Sequence, residues 1–185
     1  MSSLDKSLES KFNDLKIAIN QDKGKWPSAQ GVNALIMIYS PEEEKECLKR
    51  VKEDYGNEYI IDLSKLFIEY IDKFGIDTFK EIYKNYRSTS VFNDDTSQGE
   101  DFLDLILNEI GEAFEQDKIP VLIRTGILYG TGIRNNDILE SEVVSKCKKP
   151  LLIFYPGDIR EDHSDNERVY FLGTVKASDY RGQLV

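Results

Sequence analysis

The sequence predicts an α/β protein with a mostly parallel sheet flanked by helices. Three observations lead there. Residues 32–39, 120–124 and 150–155 are short, almost continuously apolar runs, which suit strands buried on both faces. The stretches around them carry apolar residues at helical spacing. Strands and helices alternate along the chain, and that order implies βαβ crossovers.

Each element follows from local signals. Residues 4–20 place Leu4, Leu8, Phe12, Leu15, Ile17 and Ile19 among charges, a helical spacing. Gly24, Pro27, Ser28 and Gly31 then break any period, so 21–31 is a loop. Residues 32–39 form the first strand. Ser40, Pro41 and Glu43 predict a helix start: serine as N-cap, proline at the first position, glutamate closing a capping box. That helix runs to Tyr55 and stops at Gly56. Residues 58–63 read as a strand. Ser64 then caps a helix holding Leu66, Phe67, Tyr70, Ile71 and Phe74, and 77–86 continue helically after Gly75.

Residues 88–99 are polar and turn-rich. The clearest amphipathic helix spans 100–116, with Phe102, Leu103, Ile106, Leu107, Ile110, Ala113 and Phe114 on one side. A strand over 120–124 leads into a glycine-bearing loop, 125–134, and a helix over 135–145. The strand at 150–155 is ended by Pro156 and Gly157, and 158–167 reads as a charged loop. A last strand spans 168–173, and 178–181 begin a tail. An antiparallel edge pairing of that last strand would make the class α+β. No repeat or low-complexity linker divides the chain. The expected organisation is one domain over 1–185, with an N-terminal helix and loop over 1–30 and the sheet core over 31–185.

Charge narrows the partners. Lys plus Arg is 24 and Asp plus Glu is 34, a net charge of −10. Phosphate contacts need the opposite sign, so direct DNA binding and adhesion to anionic membranes are not expected. The one local exception is a basic strip of Arg124, Arg134 and Lys146 to Lys149. The N-terminus lacks the apolar core of a secretory signal, and no apolar run approaches a membrane span. The expected location is the cytoplasm.

Motifs for chemistry are sparse. Neither GxxxxGK[ST] nor GxGxxG is present, so no phosphate cradle is predicted. Gly126, Gly130 and Gly132 follow a strand but lack the lysine. The serine elbow GxSxG is absent. Cys47 and Cys147 lie far apart, and His163 is the sole histidine, which leaves no zinc-ligand pattern. His163 sits among Glu161, Asp162 and Asp165 and reads as a solvated loop residue. It would form a dyad only if a cysteine met it in space. The acids at 42–46 fit a helix N-terminus, where the dipole favours them. No catalytic residue, cofactor or metal is expected.

Ligands of open parallel sheets gather at the carboxyl ends of strands, here Ser40, residues 63–64, 125–134 and 155–160. Within that edge, Tyr129 and Arg134 are of the types that dominate interface hot spots. A Tyr129 folded back on its own domain is the competing reading.

The second half resembles a known family. Residues 120–139 are similar to its strand, its Gly-x-x-Tyr loop, here Gly126 to Tyr129, and its helix start at Arg134, Asn135 and Asn136. Residues 149–157 are similar to its strand ending in Phe-Pro-Gly. Residues 171–173 and 179–185 are similar to its Leu-Phe-Gly and Tyr-Tyr-Arg-Ala-Phe endings. The family is BrxB, the small B component of bacteriophage exclusion (BREX) defence systems. The chain departs from it at Gly130 and Thr131, where a proline is usual, at Asn136 in place of histidine, and at Gly182 in place of alanine. The resemblance implies a RecA-like, P-loop-type fold without Walker motifs. It also implies membership of a phage-defence assembly and direct contact with PglZ, its alkaline-phosphatase-like component. The expectation is therefore a non-catalytic adaptor that binds PglZ and other BREX components through Tyr129, Arg134, Asn135 and Asn136. The alternative is a nucleotide- or nucleic-acid-processing enzyme that uses the loops 125–134 and 158–163.

Overall fold

A computed structural model describes residues 6–20, 33–86, 101–161, 167–171, 175–176 and 183–185. Its strands are β1 (Ala34–Tyr39), β2 (Tyr59–Asp62), β3 (Pro120–Ile123), β4 (Leu151–Glu161), β5 (Glu167–Phe171), β6 (Val175–Lys176) and β7 (Gln183–Leu184). Five of them form a parallel layer in the order β2-β3-β4-β1-β7. The α/β class with a mostly parallel sheet is thus as the apolar runs predict.

The helices are α1 (Leu8–Asn20), α2 (Glu44–Tyr55), α3 (Leu63–Phe74), α4 (Ile76–Tyr86), α5 (Phe102–Glu115), α6 (Asn135–Leu139) and α7 (Glu142–Ser145). Alternation along β1 sorts its side chains to the two faces. Leu35, Met37 and Tyr39 join Phe12 and Leu15 of α1 and Cys47 and Val51 of α2. Ala34, Ile36 and Ile38 join Leu66 of α3, Ile106 and Ile110 of α5, and Leu139 and Val144 beyond them. Both faces are covered, and all six residues of β1 are buried. Each fully buried Leu, Ile or Phe contributes about 1.5–3 kcal/mol.

Several local signals resolve differently from the sequence reading. Ser40 makes no side-chain cap. The turn Pro41–Glu43 winds as a 3-10 helix, and the Glu43 N–H donates to the Ser40 carbonyl (2.8 Å). That bond takes the N–H a capping box would have used. The cap of α3 is Asp62 and not Ser64: Asp62 Oδ1 accepts from the Ser64 N–H at 3.2 Å. The helix expected over 135–145 is broken into α6 and α7 at Ser141. The Ser141 hydroxyl instead accepts from the Val144 N–H (3.3 Å), a local bond that competes with helix continuation. The loop 125–134 begins with a 3-10 turn, Thr125–Leu128.

Two corrections concern the sheet. β4 does not end at Pro156 and Gly157. It runs out of parallel partner at Tyr39↔Pro156 and gains an antiparallel one at Gly157↔Phe171. Residues 158–161, expected in a loop, are therefore paired strand. The residue at the handover must be small, because a Cβ on Gly157 would lie 2.7 Å from the Tyr170 carbonyl oxygen. The strand after the charged stretch does pair antiparallel, yet the five-strand parallel layer keeps the class α/β. The second correction is β7, which lies parallel to β1 within the stretch read as a tail. Residues 178–181 lie outside the described residues.

Candidate functional site

The carboxyl ends of β1, β2, β3 and β4 lie along one edge of the sheet. β3 leaves it through Arg124, whose backbone is left-handed (φ 56, ψ 38). A non-glycine residue pays about 1–2 kcal/mol for that conformation, so the surroundings must hold it. Arg124 Nη1 donates to Asp62 Oδ2 at 2.5 Å, and its Nε lies 4.0 Å from Glu44 Oε1. Asp62 therefore caps α3 with one oxygen and accepts from Arg124 with the other. Thr125, buried, donates its hydroxyl to the Phe154 carbonyl (2.9 Å), tying the exit of β3 to β4. An open groove of about 790 Å³ runs outward from Arg124 along α2, past Pro41, Leu48 and Lys52.

The Arg124 cluster was not singled out as a site by the sequence. A signal existed, since an acid ends β2 and a base follows β3. It becomes legible only once these strands are known to be neighbours in the register Asp62↔Ile123. We expect Arg124→Gly to relieve the left-handed backbone yet lower stability. Asp62, with a side chain 13% exposed, would lose its charged partner, at a cost of about 1–3 kcal/mol. Adding Asp62→Asn should restore part of that loss, because asparagine still caps. Urea midpoints of the two variants check this.

The loop that follows presents Tyr129. Leu128 before it and Thr131 after it are buried, while Tyr129 is 60% exposed. The Thr131 hydroxyl donates to the Leu128 carbonyl (2.8 Å) and accepts from the Ile133 N–H (3.2 Å). Gly130 and Gly132 both take φ +85, which lets the chain turn sharply around the tyrosine. Arg134 is exposed and pairs with Asp137 at 2.9 Å. Asp137 also accepts the Arg134 backbone N–H (2.7 Å), so this acid starts α6. Asn135 and Asn136 are half-buried in the first turn of α6. The structure thus places Tyr129 and Arg134 at the surface and the two asparagines partly beneath it.

Four of the five basic residues of the expected strip are paired with acids, and Lys148 is exposed with no ion pair among the described residues. Arg124 pairs with Asp62, Arg134 with Asp137, Lys146 with Glu142 and Lys149 with Asp117. His163 lies outside the described residues.

Cys47 is fully buried. Burial first, and then the charges of Glu43 and Glu44, push its thiol up to about 12. Near neutral pH it stays protonated and is no nucleophile. Iodoacetamide at pH 8 should therefore label half-buried Cys147 first, and Cys47 only as the chain unfolds. Mass spectrometry across a urea series reads this directly. Tyr39 and Tyr55 are raised as well, chiefly by burial. Their hydroxyls have no hydrogen-bond partner among the described residues.

Among the described residues, no group of three or more His, Cys, Asp or Glu could hold a metal ion. No described helix is long and apolar enough to cross a membrane. Compared with family models, with curated proteins and with solved structures, the chain matches none.

Proposed function

We propose that this chain is a non-catalytic adaptor in a BREX-type phage-defence assembly, and that it docks the PglZ component through the loop carrying Tyr129 and Arg134. One observation supports this reading most: a tyrosine 60% exposed between two buried anchors, on a turn closed by side-chain hydrogen bonds. A tyrosine on a turn already closed by hydrogen bonds requires little backbone ordering on binding. Arg134, five residues on and paired with one acid among the described residues, retains donors for a carboxylate on the partner. The resemblance of residues 120–139 and 149–157 to the BrxB family supplies the partner. The net charge of −10 would steer this protein toward a basic surface and speed encounter. It equally opposes direct DNA contact.

The test is size-exclusion with light scattering on the chain alone and mixed with PglZ from the same system. A stoichiometric complex is expected. Absence of a complex at micromolar concentrations would count against the reading.

A further inference from the structure

Tyr129 stands at the corner of a tight turn. The Leu128 carbonyl accepts the Thr131 N–H at 3.1 Å, which closes the chain over 128–131. Tyr129 has φ −62 and ψ 122, and Gly130 has φ +85. Those are the angles of a type II turn, whose second central residue takes a positive φ and is therefore glycine. A Cβ on Gly130 would meet nothing within 4 Å, so the backbone angle and not crowding demands glycine there. Beyond Tyr129 the next exposed side chain along the chain is Arg134, because 130 and 132 are glycines while Thr131 and Ile133 are buried.

One side chain braces this turn from within. Thr131 is 3% exposed. Its hydroxyl has a single proton, which it donates to the Leu128 carbonyl at 2.8 Å, and it accepts the Ile133 N–H at 3.2 Å. The hydroxyl thus links the residue before Tyr129 to a residue after it, and both of those are buried anchors. A segment with glycine at 130 and 132 has wide backbone freedom when nothing holds it. Freedom lost on binding subtracts from affinity. The brace removes that loss before a partner arrives. Serine could make both bonds. Valine has the shape of threonine and can make neither.

We propose that Thr131 is a positioning residue for partner capture: its hydroxyl holds the 128–131 turn in the conformation that presents Tyr129. The proposal rests on docking through Tyr129 and takes the same partner. Thr131 is buried and acts only through the tyrosine, so its effect on affinity has to vanish once the ring is gone. A residue that merely stabilised the fold would not depend on the ring in this way.

The experiment is a double-mutant cycle on the full chain, read by calorimetry with purified PglZ and by amide exchange on the chain alone. Thr131→Val should weaken binding about tenfold, and Thr131→Ser should keep it within about twofold of the parent. In the Tyr129→Ala background, Thr131→Val should change Kd by less than about twofold, the non-additivity of residues that share one contact. Exchange at the Ile133 amide should speed up with valine and not with serine, because only valine leaves that N–H without its acceptor. Circular dichroism checks that each variant is folded. Gly130→Ala strains the same turn from its exposed side, and serves if Thr131→Val does not fold. It too should weaken binding only while Tyr129 is present. Parent-like affinity in folded Thr131→Val, or in Gly130→Ala where the valine variant does not fold, would overturn the proposal and leave docking through Tyr129 standing. So would a loss that persists in full without Tyr129. If the parent chain forms no complex with PglZ, the docking reading falls and this inference falls with it.

Discussion

Replacing Phe154 with alanine is expected to destabilise the protein by about 3–5 kcal/mol. Phe154 is fully buried on β4, opposite Met37 of β1. Its ring centroid lies 5.7 Å from that of Phe12 and 6.2 Å from that of Tyr55. It is therefore the shared contact between the sheet, α1 and α2. Deleting it removes the transfer free energy of the ring and leaves a cavity that two helices and a sheet cannot easily collapse. Phe12 in turn lies under the Arg50 guanidinium, 5.8 Å from the ring centroid, so the loss should spread to the packing of α1. Against a typical total of about 5–15 kcal/mol, this is a large share. Urea unfolding followed by circular dichroism measures it. A loss below about 1 kcal/mol would mean that α1 does not seal this face.

The second large effect is on binding. Tyr129→Ala should leave stability within about 0.5 kcal/mol of the parent, as surface changes usually do. It should nonetheless weaken capture of PglZ by about 2 kcal/mol or more, roughly thirtyfold in Kd. Arg134→Glu should also weaken it. The start of α6 should survive that change, because Asp137 accepts the backbone N–H of residue 134 and not only its side chain. Tyr129→Phe separates the ring from its hydroxyl. Calorimetry with purified PglZ gives the values. Unchanged affinity in both Tyr129→Ala and Arg134→Glu would take the loop out of the interface.

The layered architecture was legible because burial on both faces writes continuous apolar runs into parallel strands, as at 34–39 and 151–155. Helix α5 was legible for the same reason in another period. What escaped was decided by pairing partners distant in sequence. Nothing near Pro156 and Gly157 announces that β4 will change partner there. The choice depends on β5, whose Tyr170 carbonyl only a glycine admits so closely. β7 is two residues long, too short to leave a pattern. Asp62 outcompeted Ser64 as a cap because a carboxylate already positioned by Arg124 reaches the helix start. The exposed tyrosine loop was visible through its glycines. The Arg124 cluster, built from three separate elements, was not.

The strand order has a consequence for biosynthesis. β1, six apolar residues with no charge, pairs with β4 and β7, both more than a hundred residues further along the chain. A ribosome adding about 5–20 residues per second would leave that segment without either neighbour for roughly 5–20 s. During that interval it has the features of an aggregation-prone strand: apolar, uncharged and free of proline. Helix α2 follows it directly and offers Cys47, Val51 and Tyr55 to the same face. The nascent chain can thus shield one side of β1 long before the sheet closes. The other side depends on a chaperone or on speed, and expression yield should respond to trigger-factor-type holdases more than to the stability of the finished fold.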